Sequence, residues 1–144
     1  MNTISDLTQQ KSLLITQAQF QQAVGKHAEA SRLFRDAALL EERIADGFRQ
    51  AGHAEDAAIS LFSAASCYRN AGQFAKAAAL AKEAGALTNS ADFAEEIEQF
   101  QDDCQTASAT SGQRTLRGIV RNGAVIPFEA DVLAEGELVT ITAA

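Results

Sequence analysis

Few residues in this chain are suited to chemistry: two histidines, two cysteines and one run of acids. His27 and His53 follow glycines in equivalent segments, Gly25-Lys26-His27 and Gly52-His53. Two imidazoles brought together would hold a metal ion or pass a proton. Turns between antiparallel helices alternate ends, however, which keeps these two about a helix length apart and makes them solvated turn residues. Cys67 and Cys104 stand 37 positions apart with no second ligand beside either, a spacing that fits no zinc or redox motif. Cys67, among Ala64, Ala65 and Tyr68, reads as a small core residue, and Cys104, at the edge of a polar stretch, as a bystander thiol. No Ser/His/Asp or Cys/His set and no phosphate-cradling loop is present. Gly118, Gly123 and Gly136 belong to strands and turns rather than to a dinucleotide loop. The expectation is a protein that is not an enzyme and needs no metal and no cofactor.

The acids form the one marked charge pattern. Asp92, Glu95, Glu96, Glu98, Asp102 and Asp103 fall in one helical stretch that carries no base. Such a stretch either solubilises the exposed end of a helical stack or offers an acidic contact surface to a basic partner. Arg32, Arg35, Arg43 and Arg49, interleaved with Glu42 and Asp46, read as solvated pairs along a helix. Arg114, Arg117 and Arg121 read as edge-protecting charges on a strand, or as a weak anion site. A net charge of −7 and a pI near 4.7 argue against a nucleic acid or an anionic membrane as the main partner.

The elements that must position these residues are legible from composition. The 144 residues are 47% hydrophobic and 22% charged, enough for one domain or a domain with a small appendage, and too apolar for wholesale disorder. No apolar run approaches the ~20 residues of a membrane span. Met1–Asp6 lacks the basic-then-apolar layout of a secretory leader, so a cytoplasmic location is expected. Of 30 alanines, 23 precede residue 106, and the same stretch holds only 10 Val, Ile or Thr and no proline. The 28 residues from Thr115 to Thr142 also hold 10 Val, Ile or Thr, a switch from helix-forming to strand-forming composition. Between them, residues 105–113 are small, polar and uncharged, which predicts a flexible linker.

Three segments share one grammar: Val24-Gly25 to Ala30, Ala51-Gly52 to Ala57, and Ala71-Gly72 to Ala77 each place alanine five positions after glycine. Glycine past a helix end supplies a left-handed residue, and alanine early in the next helix permits close approach. Gly85, with Asn89-Ser90 after it, predicts a further stop and start, Ser90 acting as N-cap. Five helices follow, over roughly 5–24, 27–50, 54–71, 73–85 and 90–104. Apolar residues recur at three and four positions in the second (Leu33, Ala37, Leu40, Ile44, Phe48), third (Ala57, Leu61, Ala64, Tyr68) and fourth (Phe74, Ala77, Ala78, Ala81, Ala84). The fifth has Phe93, Ile97 and Phe100. The first is less regular, with Leu13, Phe20 and Val24 offset from Leu7, Leu14 and Ala18.

Two resemblances add to this reading. Ala64-Ala65, Tyr68, Gly72, Phe74, Ala77, Ala81 and Ala84 resemble a tetratricopeptide-type helical hairpin, and Gly25, Ala30, Phe34 and Ala37 repeat part of the pattern. That resemblance implies a curved helical array with a partner-binding face. At the other end, Leu116–Arg121, then Asn122-Gly123, Ala124–Phe128, Glu135-Gly136 and Glu137–Thr142 resemble a short prokaryotic antitoxin-like family. It implies a small paired β-module and a PIN-domain ribonuclease toxin as partner. Asn122-Gly123 is also a strong hairpin turn signal in its own right.

The resulting expectation is an α+β, mostly α chain: antiparallel helical hairpins in a tetratricopeptide-like array, then a C-terminal three-stranded antiparallel β-module. Its parts are a helical domain at 1–104, a linker at 105–113 and the module at 114–144. The expected function is a non-catalytic scaffold or adaptor that binds a protein or peptide partner. An antitoxin-like inhibitor acting through the β-module and acidic helix is the alternative. Partner contacts are expected at Arg69, Asn70, Gln73, Asp92, Glu95 and Glu96. A homodimer is expected through residues 115–142, at Ile119, Val120, Val125, Val139 and Ile141, because a lone small sheet is marginal in water.

Overall fold

With no proline and abundant alanine before residue 106, nothing in the backbone opposes helix formation over that stretch. The computed structural model describes residues 3–116, 120–121 and 124–125. Its helices are α1 (Ile4–Ala23), α2 (His27–Gln50), α3 (Ala54–Asn70), α4 (Phe74–Leu87) and α5 (Ala91–Leu116). Backbone proximity divides the chain into two units, Met1–Gln105 and Thr106–Ala144. In the first unit successive helices pack on one another, α1 on α2, α2 on α3 and α3 on α4.

The glycine grammar corresponds to three copies of one turn. Gly25, Gly52 and Gly72 have φ of 84°, 80° and 81°. In each, the glycine N–H donates to the carbonyl three residues back: Gln22, Arg49 and Arg69. The N–H of the next residue donates five residues back, Lys26 to Gln21 and His53 to Phe48 at 2.8 Å, Gln73 to Tyr68 at 2.9 Å. This pairing satisfies the last carbonyls of the outgoing helix. The same residue then caps the next helix, its carbonyl accepting from Ala30, Ala57 or Ala77 N–H at 3.0 Å. All three alanines are buried.

Four sequence expectations are corrected. Gly85 does not end α4, which continues to Leu87: its φ is not left-handed, and within the helix it lies against Ile97 of α5. The linker expected at 105–113 lies inside α5. Its small uncharged residues add to a helix already nucleated upstream, and no proline occurs before Pro127 to stop it. The β-module is not supported. Val120–Arg121 pairs antiparallel with Ala124–Val125, Val120 opposite Val125, and that two-residue ladder is all the sheet among the described residues. Ile119, Val139 and Ile141 lie outside them. The tetratricopeptide resemblance fails as well. The turns repeat but the helices between them run 20, 24, 17 and 14 residues, so no unit of constant length recurs.

The core is built mainly from alanine. Ala37, Ala38, Ala45, Ala58, Ala64, Ala65, Ala77, Ala81 and Ala84 are fully enclosed, with Leu61, Tyr68, Leu80, Ile97 and Phe100 filling the space between helices. One charge is buried with them. Glu41 of α2 is 3% exposed and meets Lys11 Nζ of α1 at 3.1 Å. Burial holds its carboxyl above the ordinary carboxylate range, against the opposing pull of Lys11 and a hydrogen bond from Ser63.

Two predictions follow from this packing. Gly52→Ala should lower stability by about 1 kcal/mol through its left-handed backbone. Gly85→Ala should raise it by about 0.5–1 kcal/mol, since an added Cβ meets Ile97 only at 3.6 Å, an ordinary contact. Urea unfolding of both variants checks the opposite signs. Lys11→Met should cost about 3 kcal/mol at pH 7 by stranding Glu41. A carboxyl raised in the folded state binds its proton more tightly there than in the unfolded chain, so this loss should shrink as pH falls through the folded value toward 4.5. Unfolding midpoints at pH 7 and pH 5 measure the difference.

Candidate functional site

On α3, Phe62, Ser66 and Arg69 follow one another at four and three residues and so share a face. On α5, Asp92, Glu95, Glu96, Gln99, Phe100 and Asp103 do the same over three turns. These nine residues line one open groove of about 610 Å³. Its floor is aromatic. Phe62 meets Phe100 edge-on with centroids 5.0 Å apart, and Phe93 in a near-perpendicular arrangement at 5.3 Å. The Arg69 guanidinium lies over the Phe100 ring at 4.7 Å. Its face is therefore used by the ring, while its N–H edges stay available for acceptors.

The acids stand along one wall. Asp103 accepts a hydrogen bond from Gln99 Nε2 at 3.0 Å. Among the described residues, Asp92, Glu95 and Glu96 have no ion-pair partner, and all three are exposed. The groove thus combines four carboxylates and one guanidinium over a phenylalanine floor. Such a lining can hold a cationic, partly apolar segment; it contains no nucleophile with a base beside it.

The α4–α5 connection sets where the acidic wall stands. Here no glycine turn operates, and Glu55 from the first turn of α3 replaces it. Its two carboxylate oxygens lie 3.0 and 2.9 Å from Thr88 Oγ1, and it also accepts from the Asn89 N–H. Thr88 Oγ1 in turn accepts from Ser90 N–H at 3.0 Å, and Ser90 Oγ accepts from Phe93 N–H at 3.1 Å. Ser90 is therefore the N-cap of α5, as its sequence position indicates.

Of the six partner-contact residues read from the sequence, Arg69, Asp92, Glu95 and Glu96 come together in this groove. Asn70 is exposed at the end of α3, and Gln73 serves the α3–α4 turn with its backbone; neither lines the groove. Sequence reasoning missed Phe62, Ser66, Gln99 and Phe100 as lining residues. Phe62 and Phe100 were legible only as members of apolar stripes, and which stripe edge faces a cleft depends on how α3 and α5 cross.

The remaining candidates do not form sites. His27 and His53 are separated by α2, whose 24 residues span about 36 Å. His53 stacks on Phe48 at 6.2 Å and sits 3.5 Å from Asp56. Both cysteines are buried. Burial, and then the Glu41 charge, push the Cys67 thiol up to about 11. Burial likewise raises Cys104, which belongs to the core rather than to the polar surface. Neither thiol is ionised at neutral pH. No three His, Cys, Asp or Glu side chains among the described residues could share a metal ion, and no helix among them is long and apolar enough to cross a membrane.

No protein-family model, curated protein or solved structure matches the chain. Both family resemblances stated from sequence are therefore without support from any match, as well as from the fold.

Glu55→Ala should lower stability by about 1 kcal/mol through the lost hydrogen bonds. Amide hydrogen exchange should show Asn89 and Ser90 losing protection while the Ala57–Tyr68 amides of α3 keep theirs.

Proposed function

We propose that the protein is a non-catalytic interaction scaffold that holds a cationic, amphipathic segment of a partner protein in the groove between α3 and α5. One observation carries this reading: Asp92, Glu95, Glu96 and Asp103 rise beside a floor of Phe62 and Phe100 in one continuous cleft. An apolar side chain of the partner rests on the rings, and its lysines or arginines reach the acidic wall. The carboxylates of Asp92, Glu95, Glu96 and Asp103, at three, four and eleven residues from the first, share the helical spacing that a partner helix with bases at three- and four-residue intervals would match. Rim charges of this kind mainly speed encounter and select the partner's sign, while the buried aromatic contact holds it.

Binding should be sought with a library of helical peptides carrying leucine or phenylalanine on one face and lysine or arginine on the flank. Fluorescence anisotropy is expected to show binding that weakens with salt. Glu95→Lys/Glu96→Lys should reduce affinity at least about tenfold, equivalent to about 1.4 kcal/mol. Equal binding of a library with glutamates in place of the bases would refute the groove as a site for cationic segments.

A further inference from the structure

The irregular apolar pattern of α1 has a structural explanation. Leu7, Leu14, Ile15 and Ala18 turn inward onto the core, and Leu7 and Ala18 are buried. The offset residues form a second stripe on the other side of the same helix, ending on its C-cap residue Val24. Leu13, Phe20 and Val24 are 58%, 61% and 51% exposed; the other exposed large apolar residues among those described are Leu39 on α2 and Ile59 on α3, one to a helix. At seven and four residues apart, they lie within about 40° of one another around the helix axis. Gln9, Gln10, Thr16 and Gln17 flank them, all exposed.

Charge distinguishes this face. From Leu7 to Gly25 the one charged side chain is Lys11, and it turns inward onto Glu41. The exposed faces of the other four helices all carry charge, including Arg32 and Arg35 on α2, Glu55 and Asp56 on α3, Lys82 and Glu83 on α4 and the acids of α5. The chain as a whole carries −7, so two copies repel at long range, and like-charged faces repel where they meet. The outer face of α1 carries no charge to oppose the approach of an identical face. A basic partner would gain nothing there and is drawn to α5 instead.

We propose that α1 is a self-association face on which a second copy of this chain docks, the two α1 helices packing antiparallel. In the register that buries the stripe, Leu13 of each copy lies against Val24 of the other, and Phe20 against the aliphatic stem of Gln17. Antiparallel packing also opposes the two helix dipoles favourably. The glutamines at the margin carry both donors and acceptors, so an identical face can satisfy them. Three side chains make a small patch, below the roughly 800 Å² per partner of a standard stable interface. The dimer is therefore reversible, forming at about 100 µM rather than at nanomolar concentration.

Sedimentation equilibrium of the full chain over a concentration series from about 5 to 500 µM tests this. The mass should rise from 15.3 kDa toward twice that value. Added salt should favour the dimer by screening the remaining charges. Leu13→Gln/Phe20→Gln/Val24→Gln should stay at a single mass throughout, with unchanged helical circular dichroism. Gln17→Cys should be joined to a second copy by a short bismaleimide, and Gln10→Cys should not. Cys67 and Cys104 are buried and do not compete. A wild-type chain that stays monomeric over the whole range overturns the proposal. So does a triple variant that dimerises as the wild type does, which would put the contact elsewhere, or a Gln17→Cys chain that remains uncrosslinked.

Discussion

How closely two helices can approach is decided by the side chains at their crossing, and in this protein that residue is almost always alanine. The three glycine turns deliver an alanine to the same place each time, one turn into α2, α3 and α4, where Ala30, Ala57 and Ala77 are enclosed. Ala37, Ala58, Ala64, Ala65 and Ala81 continue the contact along the helices. A larger side chain at any of these points would force the backbones apart and open voids around Leu61, Tyr68 and Leu80. Because alanine also carries the highest helix propensity, the same choice favours the helices and their close packing. Local preference and tertiary packing agree over most of residues 4–105, a consistency expected of a sequence that specifies one structure.

Departures from that pattern are informative. Glu41 is the one buried carboxylate among the described residues, and it brings Lys11 in with it, so α1 is keyed to α2 by a charge pair as well as by apolar contact. Tyr68 Oη donates to Glu42 at 2.6 Å, a polar link between α3 and α2. Lacking a glycine turn, the α4–α5 connection is held by Glu55 from α3. As a result the start of α5 is referred to α3, and Phe93 and Phe100 meet Phe62 across the cleft. The last connection thus follows a different rule from the other three, and the helix it starts forms one wall of the groove.

Alanine-rich helices leave little apolar surface to spare, which gives the exposed side chains of α1 their significance. Most of the large apolar residues in the array are turned to the core; α1 divides its own between an inner and an outer stripe. The acidic and aromatic cleft lies on α3 and α5, while the uncharged stripe lies on α1. A partner of opposite charge and a copy of like charge would therefore be sorted to different faces by electrostatics alone.

The sequence by itself determined the helices and their turns. Glycine at +80° has few substitutes, alanine and the absence of proline leave helix as the one local option, and Ser90 marks the start of α5 without ambiguity. These are properties of single residues and their immediate neighbours, so they can be read in order along the chain. The end of α5 was not legible: a run of small polar residues is indifferent between linker and helix, and the helix already formed ahead of it decided the matter. For Gly85 the same residue type admits two opposite roles, and only the path of the backbone distinguishes them. Arg69 and the acids at 92, 95 and 96 were recognisable as candidates, but their meeting over Phe62 and Phe100 depends on the crossing of α3 and α5. That crossing is set by contacts between residues about thirty apart in sequence, and no local pattern encodes it.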